Sequence, residues 1–330
     1  MPDEAAIGRL GGQMFVTTES VRRLTDPQRS EVLALVKNAT QIDKVAPLSE
    51  QVLMNTRDDH DATNTNTWHL LAHAGTHLAG YAHLDQGVEA ATAEIVVDPS
   101  SRRKGLGTAL IHALENAVVP PATTLRLWSH GDLDAAHTLA RRDGYLILRE
   151  LWQMRRPLRS NASGLPTVSI PQGFSSRHFV VGRDEEAWLK VNAAAFVDHP
   201  EQGRMSRHDL DQRIVEPWFD ASGFILIEDT RGPDAVLVAS HWTKVVPTQD
   251  PHLPAEGEVY VVGVNPEYQG RGFGRTVTVL GLAHLRDKGL AQAMLYVDAD
   301  NHPAVATYSR LDFARSGVDI MYERTVQPPV

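Results

Sequence analysis

The sequence predicts an α/β fold of two tandem domains, each a mixed sheet flanked by helices. Length is one ground: 330 residues exceed the usual domain of roughly 100–200 residues, so two hydrophobic cores are expected. An internal repeat is the other. Ile95-Val-Val-Asp-Pro99-Ser-Ser-Arg102-Arg-Lys-Gly105-Leu-Gly107 reappears as Val262-Gly-Val-Asn-Pro266-Glu-Tyr-Gln269-Gly-Arg-Gly272-Phe-Gly274, and the offsets 266 − 99, 272 − 105 and 274 − 107 all equal 167. A fixed offset of about half the chain marks a duplicated unit.

Local chemistry supports each element in turn. Asp26-Pro27 opens a helix whose apolar positions Val32, Leu33, Leu35 and Val36 recur at helical spacing. Trp68–His73 and Leu78–His83 flank Ala-Gly-Thr-His as a hairpin. Ala91–Val97 reads as a buried strand, then come the glycine loop, a helix from Gly105 to Val118, a strand Leu125–Trp128, a helix Leu133–Arg142 and a strand Tyr145–Met154. Between Arg155 and Gly173 the chain turns to prolines and small polar residues without periodicity, which predicts a linker over 157–172 between domains 1–156 and 173–330. The order then repeats. A strand lies near Phe179, a helix over Glu185–Ala195, strands over 223–228 and 235–243, and a strand Val259–Val264. Loop and helix 272–288, strand 293–297, helix 302–311 and strand 313–322 complete the second unit.

Composition excludes several classes of function. A net charge of −9 opposes sequence-independent nucleic-acid binding, which needs a surplus of Lys and Arg facing phosphates. The chain has no cysteine, so disulfides, thiolate catalysis and cysteine metal sites are all ruled out. Its fifteen histidines show no HExxH or similarly spaced pair, and no metal is expected. No apolar run approaches the ~20 residues of a membrane span, and the start Met-Pro-Asp-Glu-Ala-Ala lacks the apolar core of a signal peptide. The expectation is a cytoplasmic monomeric enzyme acting on a small molecule, with neither membrane nor nucleic acid as partner.

The repeated loops are where ligand chemistry is expected. Glycines let backbone approach a ligand closely, and amides at the start of a helix converge with the positive end of its dipole, which suits a diphosphate. Arg271 and Arg275, or Arg102, Arg103 and Lys104, can add cationic contacts at the rim. A single Gly-x-Gly is equally a tight strand–helix turn; two copies, each between a proline-bearing strand end and an apolar helix, argue for a binding device. A dinucleotide fingerprint belongs after the first strand of its domain and a Walker loop needs Gly-Lys-Ser/Thr, and neither fits here.

Gln/Arg-x-x-Gly-x-Gly after a strand and proline turn resembles motif A of the GCN5-related N-acetyltransferases, and both halves carry it. The resemblance implies a central sheet splayed beside the loop, with acetyl-coenzyme A as acetyl donor and no metal. Residues implied to contact the cofactor are Val262, Gly263 and Val264, then Gln269, Gly270, Arg271, Gly272, Phe273, Gly274 and Arg275, flanked by Asn301, His302, Pro303, Ala304, Val305 and Ala306. The matching positions in the first half are Ile95, Val96 and Val97, then Arg103, Lys104, Gly105, Leu106, Gly107 and Thr108.

Acylation of an amine by a thioester needs a base for the amine and a proton for the leaving thiolate. Glu258 begins the strand before the second loop, and strand alternation places it on the face of Tyr260, Val262 and Val264. Tyr308 stands four residues after Ala304, on one helical face; the resemblance makes it the proton donor to coenzyme A. Subtracting 167 from 258 gives Ala91, and aligning Gly144-Tyr145 with Asp312-Phe313 sets Ala140 opposite Tyr308. Neither alanine can move a proton, so the second half is expected to be catalytic and the first to bind cofactor at most. A carboxylate of pKa ~4.3 taking a proton from an amine of ~8 works about 5 kcal/mol uphill, which favours relay through water with Glu258 partly desolvated.

Further segments resemble one tandem subgroup of that family, whose members acetylate the cysteinyl amine of cysteinyl-glucosaminyl-inositol. They are Val45-Ala-Pro-Leu-Ser-Glu50-Gln-Val-Leu, Gln153-Met-Arg-Arg-Pro-Leu, Asn192-Ala-Ala-Ala-Phe, His199-Pro-Glu201-Gln-Gly, Glu216-Pro-Trp-Phe-Asp, His241-Trp-Thr-Lys244 and Gly257-Glu-Val-Tyr-Val-Val-Gly-Val. The resemblance implies that Glu50, Glu201, Lys244, Glu258 and Tyr296 bind the acceptor, with Glu50 supplied by the first domain. Carboxylates suit sugar hydroxyls and an ammonium, while Lys and Tyr donate to ring oxygens. Another amine acceptor, such as an aminoglycoside or a protein amino terminus, and a non-catalytic acyl-coenzyme A sensor both remain open on the sequence alone.

Overall fold

A computed structural model describes residues 4–10, 14–57, 66–159, 164–197, 202–245 and 256–326. By packing, the chain forms two compact units, Met1–Leu151 with Gly317–Val330, and Trp152–Ser316. The sequence-expected boundaries differ from these in two respects: the division falls at Leu151–Trp152, ahead of the expected linker, and the last strand of the chain packs with the first unit.

The first unit holds β1 (Glu4–Leu10), β2 (Met14–Val21), α1 (Asp26–Asp43), α2 (Glu50–Arg57), β3 (Thr67–Ala74), β4 (His77–Gln86), β5 (Ala91–Val97), α3 (Leu106–Ala117), β6 (Thr124–Ser129), α4 (Asp134–Arg142) and the start of β7 (Leu146–Pro157). Helix α1 begins where its chemistry says: Thr25 and Gln28 form a capping box, Pro27 lies in the first turn, and Val32, Leu35, Val36 and Ala39 turn inward. Strands β1 to β5 pair antiparallel in sequence order, and β5 pairs parallel with β6. On the far side of β6, Ile320–Thr325 of the closing strand add antiparallel to Ser129–Thr124.

The second unit repeats the plan with β8 (Phe174–His178), α5 (Glu185–Ala195), α6 (Arg207–Ile214), β9 (Phe224–Asp229), β10 (Val236–Lys244), β11 (Glu256–Val264), α7 (Phe273–Asp287), β12 (Gln292–Asp298), α8 (His302–Ser309) and only the first residues of β13 (Ala314–Thr325), whose remainder from Gly317 is the closing strand of the first unit. Strands β8 to β11 are antiparallel and β11–β12 parallel, as in the first unit. Strand β7 runs to Pro157, the first residue of the linker expected over 157–172, and Leu158 still bonds its amide to Ala291. Strands β1 and β2 and helices α2 and α6 are additions to the sequence reading. Among the described residues no helix is long and apolar enough to cross a membrane.

Helix α7 lies directly on β10. His241 on β10 is fully buried, bonds Nδ1 to the carbonyl of Val277 at 3.0 Å, and fills the space where Gly281 would carry a Cβ. We expect Gly281→Ala to cost about 3 kcal/mol in urea unfolding through overpacking, and Gly281→Ala combined with His241→Ala to cost less than the sum of the two.

The closing strand is fastened to the first unit by buried charge. His130, following β6, sits 3.1 Å from Asp319 through Nδ1 and 3.6 Å from Glu94 through Nε2, and Asp319 also accepts from the Gly131 amide. Burial opposes a charge on His130, but bonds to Asp319 and Glu94 outweigh it and lift the imidazole to about 10. The sign is therefore clear: the stabilisation is full below the unfolded value of ~6.5 and is lost as pH rises toward the folded value. Burial keeps His69, His83 and His241 far below that window, at about 3, 4 and 4. Melting followed by circular dichroism should fall between pH 6.5 and 10, and His130→Gln should flatten that fall.

Candidate functional site

The two glycine loops are copies at the level of backbone angles. Asp98 and Asn265 each cap a short 3-10 turn, at φ −50 and −52, by accepting from the amide two residues on. Gly105 and Gly272 each open the following helix in the left-handed region, at φ 86 and 84. Gly270, φ +73, has its counterpart in Arg103, which holds φ 61 despite its side chain. Neither helix has a side-chain cap, whereas α1, α6 and α8 are capped by Thr25, Ser206 and Asn301. The amides of Phe273, Gly274 and Arg275 thus lie at an uncapped positive helix end, beside open space at the Cβ positions of Gly270 and Gly272. These features fit a diphosphate. In the first unit the fit is tighter, since a Cβ on Gly107 would meet Leu139 at 3.0 Å.

Not every rim residue is available to a ligand. Arg102 makes a two-pronged pair with Asp43 and bonds the Val97 carbonyl, Lys104 bonds the Ser100 carbonyl, and Arg271 lies over the Tyr268 ring at 5.1 Å. Phe273 and Leu106 point into the cores, so they can contribute backbone only. Asn301 uses its side chain on the Ala304 amide, while Ala304 and Val305 pack on the apolar cluster around Leu282 and Leu295. His302 and Pro303 are exposed at the start of α8, and Ala306 is half-buried.

The splay implied by the resemblance is present. The β11–β12 ladder runs from Glu256–Gln292 to Val259–Leu295, although β11 continues to Val264. In the first unit β5–β6 pairing ends at Glu94–Trp128, and Ile95, Val96 and Val97 run on.

Strand β11 carries a bulge that the sequence reading missed. His241 faces Val262 and Trp242 faces Val261, yet Thr243 faces Val259, so Tyr260 is an extra residue in the ladder. Side-chain alternation is reset there. Before the bulge, Gly257 abuts Leu285 on α7; after it, Gly263 abuts Ala195 and Phe196 on α5. The expected grouping of Glu258 with Val262 and Val264 is therefore corrected. Val262 and Val264 pack with Phe273 and Val277 on the α7 face, and Glu258 lies on the opposite one. The bulge also corrects the comparison with Ala91. Counting along the ladders from Val97 and Val264, the Lys244–Glu258 pair corresponds to Asp85–Thr92, and β4–β5 has no bulge. Threonine still offers no carboxylate.

Glu258 stands directly across from Lys244, with Oε2 3.8 Å from Nζ. The Lys244 ammonium lies 4.9 Å from the ring centres of both Trp218 and Tyr260, and the Tyr260 hydroxyl accepts from Nε of the buried Arg213 at 2.7 Å. Trp242 packs against Trp218, Tyr260, Trp188 and Phe224 beneath them. Tyr296 follows Met294, the partner of Glu258 on β12, by two residues and so shares its face.

Tyr308 lies on the other side, packed on the cluster of Val259, Leu282, Leu295 and Phe313, and burial pushes its hydroxyl up to about 12. Its counterpart Ala140 is buried on α4. Glu50 opens α2 in the first unit, just after Ser49, whose amide donates to Glu94 at 2.6 Å. Glu201 lies outside the described residues. Sequence reasoning gave no role to Arg213, Trp218 or Tyr260. Trp218 and Tyr260 lie in segments that carry the family resemblance, but only the bulge and α6 bring the three together.

The sequence pattern described as "Acetyltransferase (GNAT) family" matches residues 37–145 and 192–313. Mycothiol acetyltransferase of Thermomonospora curvata is 50% identical over 302 residues, covering 91% of this chain and 95% of that protein. That of Kytococcus sedentarius is 45% identical over 316 residues, covering 96% and 99%. Among solved structures, a tandem GNAT protein from the clavulanic acid biosynthesis pathway superposes with TM-score 0.70 at 18% identity, over 96% of this chain and 100% of that one. A GCN5-related N-acetyltransferase from Sphaerobacter thermophilus gives 0.65 at 21% identity, over 95% and 97%. These two show likeness of fold.

Proposed function

We infer function from one premise: this chain belongs to the acetyltransferase (GNAT) family, among its tandem mycothiol acetyltransferases. We propose that it transfers acetyl from acetyl-coenzyme A to the cysteinyl amine of cysteinyl-glucosaminyl-inositol, giving mycothiol. The observation that carries this is identity of 45–50% along nearly the whole of both chains with proteins of that name.

Acetyl-coenzyme A supplies the acetyl group as a thioester when bound at the second loop. Backbone amides of Phe273, Gly274 and Arg275 would hold its diphosphate, and the open edge of β11 from Val262 to Val264 would pair with its amide arm. Glu258 takes the proton released when the acceptor nitrogen bonds to the carbonyl carbon, through a water where contact is not direct. Tyr308, fully protonated at neutral pH with its hydroxyl near 12, gives a proton to sulfur as the carbon–sulfur bond breaks, and regains one from solvent. Lys244, Tyr296, Glu50 and Glu201 are assigned to the acceptor on the family resemblance. The first unit, with Thr92 and Ala140 at the corresponding places, binds cofactor at most.

Release of free thiol from acetyl-coenzyme A with the cysteinyl pseudodisaccharide tests the reading, and acceptor-independent release or none would defeat it. Glu258→Gln and Tyr308→Phe should each lower kcat by roughly 10²–10⁴-fold, the usual worth of a general base or acid. Glu94→Gln should lower the melting temperature, because it breaks a buried pair worth about 3 kcal/mol, while kcat per folded molecule stays unchanged.

A further inference from the structure

Lys244 is only 7% exposed, and Arg213 only 8%. Burying two cations is costly unless each is paired, and an apolar residue at either place would pack the aromatic cluster more cheaply. The cluster itself does not need them, because Trp188, Trp242, Phe224 and Phe179 already contact one another ring to ring. What the two cations share is Tyr260. Arg213 holds its hydroxyl, Lys244 lies over its face, and Trp218, its ring 5.2 Å from that of Tyr260, lies beside the same ammonium. Arg213 is fixed in turn, with Nη1 donating to the Asp209 carbonyl inside α6, a helix whose start is locked by the Ser206–Asp209 capping box.

A lysine side chain has four rotatable bonds, and holding it before a ligand arrives removes an entropy cost from binding. We propose that Arg213, Tyr260 and Trp218 are positioning residues that hold the Lys244 ammonium beside Glu258, so that the acceptor meets a preformed donor–carboxylate pair. This rests on the reading of Lys244 as an acceptor contact. The first unit supports a functional origin for the arrangement: it lacks the bulge that places Tyr260, and Asp85 occupies the place of Lys244.

The test is steady-state kinetics with purified full-length protein, acetyl-coenzyme A and the pseudodisaccharide. Trp218→Leu should raise the acceptor KM about tenfold, the equivalent of one partly buried cation–π contact, with the acetyl-coenzyme A KM unmoved. Trp218→Phe, which keeps an aromatic face, should restore most of that loss. Tyr260→Phe keeps the ring but releases Arg213, and should raise the acceptor KM about threefold, as loss of one hydrogen bond would. In a Lys244→Met background, Trp218→Leu and Tyr260→Phe should add nothing. An acceptor KM within twofold of the parent for both Trp218→Leu and Tyr260→Phe overturns the proposal, as does full additivity with Lys244→Met. If Trp218→Leu does not fold, the near-isosteric Tyr260→Phe decides by the same two criteria. Lys244→Met that leaves the acceptor KM unchanged removes the reading beneath the proposal, whereas Lys244→Met alone raising it removes only the positioning role.

Discussion

One extra residue in a ladder organises the second unit. With Tyr260 inserted between Val259 and Val261, the two ends of β11 present opposite faces to the same helices. Val262 and Val264 turn to α7 and the glycine loop, where an apolar wall is needed. Glu258 is left facing α5 and α6, across from Lys244. A regular strand could not do both, because its period of two would put Glu258 and Val264 on one side.

The two units show how a duplicated scaffold diverges without losing its binding element. The loops agree in φ and ψ at Asp98 and Asn265, Arg102 and Gln269, and Gly105 and Gly272, and Arg103 shares the positive φ of Gly270 although a left-handed conformation costs a side-chain-bearing residue roughly 1 kcal/mol. The ladders beside them do not agree. The first unit keeps β5 regular and spends its buried polar groups on internal bonds: Glu94 with His130 and the Ser49 amide, His130 with Asp319, and His69 with Tyr81. The Glu94 bond to Ser49 fastens the start of α2 to the sheet, and the His130–Asp319 bond fastens the last strand. Glu94, the one carboxylate on β5, is thereby committed to structure.

Legibility in the sequence follows the range of the interaction concerned. The loops could be read because an Asx turn, a proline and glycines at φ near +84 are fixed by a few adjacent residues. Strand Ala91–Val97 and helix Glu185–Ala195 could be read because burial imposes a period on them. Nothing in Gly257-Glu-Val-Tyr-Val-Val-Gly-Val announces that Tyr260 is the extra residue of a bulge, since register is a property of two strands and β10 lies beyond a separate segment. The mistaken grouping of Glu258 with Val262 and Val264 came from that gap, and so did the choice of Ala91 over Thr92. Arg213 was invisible for a similar reason: it lies on α6, a short polar helix with little apolar period, and only its bond to Tyr260 reveals it.

The placement of the proposed acid and base follows from the same insertion. Tyr308 packs with Val259, Leu295 and Leu282 on the α7 side, whereas Glu258 and Tyr296 lie on the other. A paired sheet would separate them completely. Parallel pairing stops at Val259–Leu295, so the sheet opens just beyond Glu258 and a thioester lying in that opening is bounded by both faces. On the proposed reading, an amine arriving from the α5 and α6 side would meet the carboxylate, and sulfur leaving toward the α7 side would meet a phenol that burial keeps protonated.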